Sequence, residues 1–239
     1  MTRLHVLLLA YAGLAACTGS GCVTMAAPPP LATFGGPATA PRGQAEVAIA
    51  AGAGGSLFPG AHAGGNGWFT RWRRGLNDRW DLGVDVLGAQ HSDLATLTAK
   101  VAVRHRLGDH LRLEAGVGAA DDSKGKSVNA DLGVTAGTVR AGAPWNYYAS
   151  FRVAGSHGYP GNVLGLGTSG DSIAPPDAFI ALGAIGASGR LGSHAHFVFE
   201  GGFGGIVVRG HSGSGRAVYF GAGVLFDIGK GNGGSALAN

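Results

Sequence analysis

The sequence predicts an all-β protein: an antiparallel, up-and-down transmembrane β-barrel of about ten strands, with eight as the alternative. Three observations point there. From residue 43 onward, apolar and polar residues alternate with a period of two, the mark of a strand with unlike faces. Most of these runs approach or reach the roughly 9–11 residues a tilted membrane-spanning strand needs, against about 5–6 for an ordinary soluble strand. The connections alternate between tight and long, as a barrel with turns on one side of a bilayer and loops on the other requires. Beyond the N-terminal region no apolar stretch of about 18 residues occurs, so a later spanning helix is excluded. Backbone groups at membrane depth would then be satisfied only by a closed sheet.

The runs follow in order. Gln44–Ala53 and Trp68–Arg74 alternate weakly. Next, Trp80, Leu82, Val84 and Val86 oppose Arg79, Asp81, Gly83 and Asp85. Leu97, Ala99, Val101 and Val103 oppose Thr96, Thr98, Lys100, Ala102, Arg104 and Arg106. After the Gly108-Asp109 turn, Leu111, Leu113, Ala115 and Val117 oppose Arg112, Glu114, Gly116 and Gly118. Val128, Ala130, Leu132 and Val134 oppose Asn129, Asp131, Gly133 and Thr135, and Trp145, Tyr147, Ala149, Phe151 and Val153 oppose Asn146, Tyr148, Ser150 and Arg152. Ala178–Gly189 is again weak. Phe197, Phe199 and Phe203 oppose His196, Glu200 and Gly202, and the last run sets Phe220, Ala222, Val224, Phe226 and Ile228 against Tyr219, Gly221, Gly223 and Asp227.

Composition separates a membrane barrel from a water-exposed sheet. The 46 glycines among 239 residues are about 19% of the chain against a usual 7%, and many lie on the polar face. A solvated sheet would favour Thr, Lys and Glu there, because Gly weakens strands; in a narrow lumen, where opposite walls nearly touch, small residues are useful. Charged residues make up only 13%, about half the usual share, which excludes a charge-rich disordered chain or a coiled coil. The net charge of +4 is spread thinly. Its densest run, Arg71-Trp72-Arg73-Arg74, is too short for a nucleic-acid footprint, so no nucleic acid is expected as a partner.

The expected tight turns are Asn77-Asp78, Gly108-Asp109, Gly142-Ala143-Pro144 and Leu191-Gly192-Ser193, and the expected long loops 54–66, 88–95, 120–126, 155–176 and 209–216. Trp72, Trp80, Trp145 and Tyr147 all lie near the turns, where an interfacial aromatic belt belongs.

The N-terminus reads as an address. Met1-Thr2-Arg3 precedes an apolar stretch from Leu4 to Ala16 interrupted only by His5, of signal-peptide length. It ends in Leu14-Ala15-Ala16-Cys17, which resembles the lipobox of bacterial lipoprotein precursors. That resemblance implies a signal peptide over 1–16, cleavage before Cys17 and acylation of its thiol. Thr18, rather than Asp, implies sorting to the outer membrane. An ordinary secretory signal cut later, after Ala26 for example, is the alternative. The only cysteines are Cys17 and Cys22, so the folded part holds no disulfide framework. Residues 17–42, rich in Pro, Ala and Gly, read as a lipid-anchored tether of polyproline character. The barrel is expected over 43–229 and a flexible tail over 230–239.

Tyr219-Phe220-Gly221-Ala222-Gly223-Val224-Leu225-Phe226 resembles the terminal signal of outer-membrane barrels, with Gly221, Val224 and Phe226 in register, Tyr219 in the polar slot and 13 further residues beyond Phe226. Over roughly 43–229 the chain resembles small bacterial outer-membrane β-barrel proteins. That resemblance implies the outer membrane of a Gram-negative bacterium, with outer-membrane lipids and the barrel-assembly and lipoprotein-sorting machineries as partners. An even strand number returns both termini to the periplasmic side, where a lipid on Cys17 would enter the inner leaflet. The sequence carries nothing on oligomeric state.

If the apolar faces point outward, Arg71, Arg73, Arg79, Lys100, Arg104, Arg106, Arg112 and Arg152 point inward with Asp81, Asp85, Glu114, Asp131, Glu200 and Asp227. Unpaired buried charges are costly, so these should form ion-pair chains. Two roles follow: a self-neutralising lumen that stiffens the barrel, or a narrow passive pore whose positive bias favours anions. Metal and enzyme signals are weak. His62, His91, His157 and His211 fall in different expected loops without ligand spacing, so no metal or cofactor is expected. Gly210-His211-Ser212-Gly213-Ser214 lacks the strand-to-helix context of a nucleophile elbow, so no catalytic residues are expected. The rival to a membrane barrel is a lipid-anchored soluble periplasmic β-barrel, with Phe197, Phe199 and Phe203 lining a cavity for an apolar ligand; a barrel enzyme is a third reading.

Overall fold

The computed structural model describes residues 31–58, 61–91, 94–122, 125–138, 143–161, 174–210 and 214–229. The expected signal peptide, the lipobox with Cys17, Cys22, the first part of the tether and the C-terminal tail lie outside these residues.

Ten strands form one closed antiparallel barrel in which every strand pairs with its sequence neighbours and β1 closes on β10. They are β1 (Ala45–Phe58), β2 (Ala61–Gly75), β3 (Trp80–His91), β4 (Leu94–Arg106), β5 (Leu111–Asp122), β6 (Lys126–Gly137), β7 (Trp145–Tyr159), β8 (Ala178–Arg190), β9 (Ala195–Val208) and β10 (Ser214–Ile228). The closing register runs from Ala45 opposite Ile228 to Leu57 opposite Arg216. Closure leaves no edge strand, so the ladder satisfies the backbone throughout.

The period of two settles which face turns inward. Trp80, Leu113 and Phe220 are 40%, 39% and 38% exposed, while Arg104 and Arg112 are each 1% exposed. Phe203 is 59% exposed, so the outward side of β9 carries the phenylalanines. They do not line a cavity, as the rival soluble barrel would require. Ile49, Val101, Val117, Leu132, Phe151 and Ile185 continue this apolar exterior around the wall, and Trp72, Trp80, Trp145 and Tyr147 are exposed near the turns.

The expected loop asymmetry is corrected. At one end the connections are 76–79, 107–110, 138–144 and 191–194; at the other they are 59–60, 92–93, 123–125, 160–177 and 209–213. Only 160–177 is long. The segments 54–66 and 88–95 are largely strand, because β1 pairs with β2 up to Phe58 opposite Ala61 and β3 with β4 up to His91 opposite Leu94; in 120–126 and 209–216 the connection shrinks to 123–125 and 209–213. Glycine, serine and histidine there obscure the alternation without breaking the ladder.

The tether is corrected as well. Residues 31–42 do not hang outside the barrel. Arg42 bridges Gly75 at the turn end, and the chain before it runs up the interior, where Thr33, Phe34, Thr39 and Ala40 are buried. A Cβ on Gly221 would lie 2.5 Å from the tip of the Phe34 ring, so a small residue on β10 makes room for this segment. Gly116 serves the charged wall in the same way: a Cβ there would stand 2.6 Å from Lys100 Cδ and 2.8 Å from Asp131 Oδ1.

Candidate functional site

Alternation places Arg71 and Arg73 of β2, Asp85 of β3, Lys100 of β4, Arg112 and Glu114 of β5, Asp131 of β6 and Arg152 of β7 on adjacent inward positions, all of them buried. They form one continuous network. Asp85 accepts from Arg71 at 3.1 Å, and Arg73 and Lys100 pair with it by charge at 2.7 Å and 3.5 Å. Lys100 also reaches Glu114 at 3.3 Å and Asp131 at 3.2 Å. Glu114 is the hub, because Arg73 (3.7 Å), Arg112 (3.9 Å) and Arg152 (2.9 Å) surround it too. Arg152 joins Glu114 to Asp131. Five cations meet three carboxylates here. A separate group pairs Arg104 with Asp81 at 2.7 Å and Glu46 at 3.2 Å.

The cations in excess over carboxylates turn to the N-terminal segment. Arg71 donates to the carbonyls of Ala32 (3.2 Å) and Thr33, and Arg112 to those of Gly36 (2.6 Å) and Ala38 (3.1 Å). The carboxylates lacking an equal share of cations take its amides. Glu200 accepts the N–H groups of Thr33 (2.7 Å) and Phe34 (2.8 Å), and Asp81 accepts that of Ala40 at 2.9 Å. The hydroxyls of Tyr148 (2.8 Å) and Tyr219 also donate to Glu200, so that buried carboxylate is satisfied by hydrogen-bond donors. Tyr148 in turn accepts the Gly35 N–H at 3.2 Å. An extended peptide carries both kinds of backbone group, and the lumen supplies opposite charges to each.

One side chain of the segment is held specifically. Phe34 packs on Phe69 with ring centroids 5.3 Å apart, in a cluster with Ala48, Ala50, Tyr148, Val198 and Leu225. Arg71 lies 4.9 Å over the Phe69 ring, a distance at which cation–π attraction operates. The backbone of Phe34 has φ 35°, a conformation costing a bulky residue on the order of 1–3 kcal/mol. The Glu200 bridge and the Phe69 contact hold it there. Leu31 packs on a second cluster, made of Ala178, Ile180, Leu182, Ala184, Ile206 and Val208. Beside the segment, a cavity of about 20 Å³ remains among Gly36, Ala38, Arg112, Ser188, His196 and Asp227, room for about one water molecule.

The expected inward set needs three corrections. Arg79 is exposed in the 76–79 turn, where its N–H and that of Trp80 bond to Asn77 Oδ1, each at 2.9 Å. The side chain of Asn77 ends the alternation one residue before β3 begins. Arg106 is the last residue of β4 and only half-buried at the rim, opposite Arg112. Asp227 is partly exposed and lies 3.3 Å from His196 Nε2, so it faces an imidazole rather than joining the chain of arginine and lysine pairs. Alternation missed Glu46, although its place on the polar face of the weak first run was readable. Among the described residues the buried cations Arg71, Arg73, Lys100, Arg104, Arg112 and Arg152 are thus met by seven buried carboxylates, Glu46, Asp81, Asp85, Glu114, Asp121, Asp131 and Glu200. The expected cationic excess vanishes. Among the described residues no group of three or more His, Cys, Asp or Glu is placed to hold a metal.

No family model matches the chain, and no curated protein does. Among solved structures, Neisserial surface protein A (NspA) overlaps 76% of this chain and 96% of its own, at 11% identity and TM-score 0.42. The translocator domain of the autotransporter NalP from Neisseria meningitidis overlaps 93% and 94%, at 12% and 0.41. The outer membrane protein OprG from Pseudomonas aeruginosa overlaps 79% and 98%, at 13% and 0.37. Likenesses this remote do not bear on activity, and the fold rests on the register of the ten strands themselves.

Proposed function

We propose that the chain is an integral barrel of the Gram-negative outer membrane, structural and non-enzymatic, whose lumen is closed by residues 31–42 of the same chain. The membrane reading is supported by the apolar exterior. Soluble monomers rarely expose a contiguous apolar patch beyond a few hundred Å², whereas here exposed Leu, Val, Ile and Phe encircle the wall, as lipid contact favours. Alkaline carbonate should leave the protein in the membrane fraction; release into the soluble fraction once its lipid is removed would instead favour a lipid-anchored soluble barrel.

The observation that carries the closed state is the double grip on the segment, carbonyls by Arg71 and Arg112 and amides by Glu200 and Asp81. A segment so held leaves no continuous aqueous path through an interior already crossed by ion pairs. The charge count also removes the basis for anion preference, since among the described residues the buried carboxylates are no fewer than the buried cations. In planar bilayers the intact protein should show no steady conductance. Removing residues 24–40, with barrel folding verified by heat-modifiable gel migration, should produce one. Gly221→Leu, which drives a side chain into the Phe34 ring, should do the same in the full-length chain. Steady conductance of the intact protein equal to that of the truncated one would refute the closed state.

A further inference from the structure

The outward face of the barrel changes character at one height. Followed strand by strand around the wall, the pairing that leaves β1 at Ala45 opposite Arg74 returns to it at Leu57 opposite Arg216. That offset over ten strands tilts them by about 40°, so a residue lies level with one slightly more than one place further along the next strand. On this geometry Lys126 of β6, His157 of β7, Asp177 just before β8, Arg209 just after β9 and Arg216 of β10 fall within about 7 Å of one height. All five are at outward positions and none is buried.

Toward the turn end, the outward positions of these five strands carry no charged residue. Val128, Phe179, Val207 and Val218, all exposed, stand two residues below Lys126, Asp177, Arg209 and Arg216. On β7 the outward column runs from Trp145, in the aromatic belt, to His157. At the same tilt that distance is roughly 30 Å along the membrane normal, the thickness of the hydrocarbon layer. Tyr159, edge-on to His157 with ring centroids 4.7 Å apart, marks the second interface, as aromatic residues do. The charged band therefore begins where the apolar wall ends, and lipid headgroups are what a lateral side chain meets there.

We propose that Lys126, Arg209 and Arg216 form a docking arc for the phosphate groups of an outer-leaflet lipid headgroup. This rests on the membrane reading above, which puts both ends of the sheet, Ala45 and Ile228, on the periplasmic side and the arc on the external one. Among the described residues Asp177 is the single carboxylate of the arc. It is shared between His157 Nδ1 at 2.6 Å and Arg209 Nη1 at 3.3 Å, so it fixes the guanidinium across two strands without covering it. The Arg209 side chain stays 80% exposed and keeps its other N–H donors for a phosphate oxygen, a charge-assisted bond. With strands about 4.8 Å apart, β6 to β10 spreads the three cations over roughly 19 Å, a width that suits a headgroup carrying more than one phosphate.

The test uses the full-length protein in detergent micelles, with folding checked by heat-modifiable migration and bound lipid counted by native mass spectrometry. The probe is diphosphoryl lipid A, with its dephosphorylated form as comparison. The intact chain should hold the phosphorylated lipid more tightly by about tenfold or more. Lys126→Gln with Arg209→Gln and Arg216→Gln should lose that preference. Arg74→Gln with Arg79→Gln and Arg190→Gln, which removes as many cations at the turn end, should keep it. Equal loss in both triple variants would make the effect one of net charge and overturn the arc, as would equal binding of the two lipids by the intact chain. Displacement of the lipid by excess inorganic phosphate would overturn the headgroup in favour of the free ion. Failure of the arc in a protein that stays with the membrane in alkaline carbonate contradicts this inference alone; release by carbonate contradicts the membrane reading and the arc together.

Discussion

The two halves of the interior solve enclosure differently. From β2 to β7 the inward positions carry Arg71, Arg73, Asp85, Lys100, Arg112, Glu114, Asp131 and Arg152, all buried and mutually paired. From β8 to β10 they carry Ile180, Leu182, Ala184, Ile206, Val208 and Leu225, relieved by Glu200 and the hydroxyl of Tyr219. The charged wall is long-ranged and all-or-none, since one carboxylate neutralises several cations at once. The apolar wall is local, with each side chain answering for its own volume. The segment lies between them and uses both, its backbone on the charged groups and Leu31 on the apolar ones.

The sharpest way to break this contrast is at the hub. Glu114→Ala leaves Arg73, Lys100, Arg112 and Arg152 around an empty site, and breaking a buried pair costs about 3–5 kcal/mol. Thermal unfolding followed by heat-modifiable migration should show the largest loss of stability of any single substitution in the barrel. A smaller effect is expected from Arg71→Met with Arg112→Met. This releases four segment carbonyls to water while Arg73 and Lys100 still neutralise Asp85, so the loss falls on the grip on the segment rather than on the barrel wall. The barrel should stay folded and gain conductance. Ile206→Val on the apolar wall should cost about 0.5–1.5 kcal/mol and leave conductance unchanged, because no backbone grip passes through it. Should this substitution open the barrel, the division of labour between the walls would be wrong.

The smallest expected effect lies at the rim. Asp177, in connection 160–177, accepts the Gly158 N–H at 3.3 Å, His157 Nδ1 at 2.6 Å and Arg209 Nη1 at 3.3 Å. Chiefly the Gly158 N–H, then the His157 and Arg209 contacts, hold its carboxyl below the ordinary aspartate range. A carboxylate with a depressed folded pKa contributes fully above its unfolded value of about 4 and loses that contribution as pH falls through the folded one. Hydrogen exchange at Gly158 should therefore lose protection, beyond the intrinsic pH effect, only below about pH 4. Asp177→Asn should weaken that protection already at neutral pH.

Much of the wall was legible in the sequence because its two environments differ so sharply. Trp80, Leu113 and Phe220 face outward and Arg104 and Arg112 inward as alternation predicts. The signal fades where the strands extend beyond the apolar band. The residues of 54–66 and 88–95 are not required to be apolar on either side, so strand there reads as loop. Arg79 and Arg106 show the same limit along one chain, because alternation assigns a face but not the residue at which Asn77 caps the turn or β4 reaches the rim. The segment at 31–42 was legible only as composition. An extended peptide whose backbone is satisfied by side chains from five different strands has no period of its own, and Phe34 beside two glycines was its one local hint.

The central claim is that residues 31–42 occupy the interior, and a designed cross-link tests it most directly. The Thr33 and Ser150 hydroxyls stand 3.1 Å apart, one on the segment and one on β7. In a Cys22→Ser background, Thr33→Cys with Ser150→Cys should form an intramolecular disulfide in the membrane-inserted protein, visible as a reduction-sensitive shift in gel migration. If both thiols stay free under oxidation and react independently with maleimide in the folded barrel, the segment is not in the lumen.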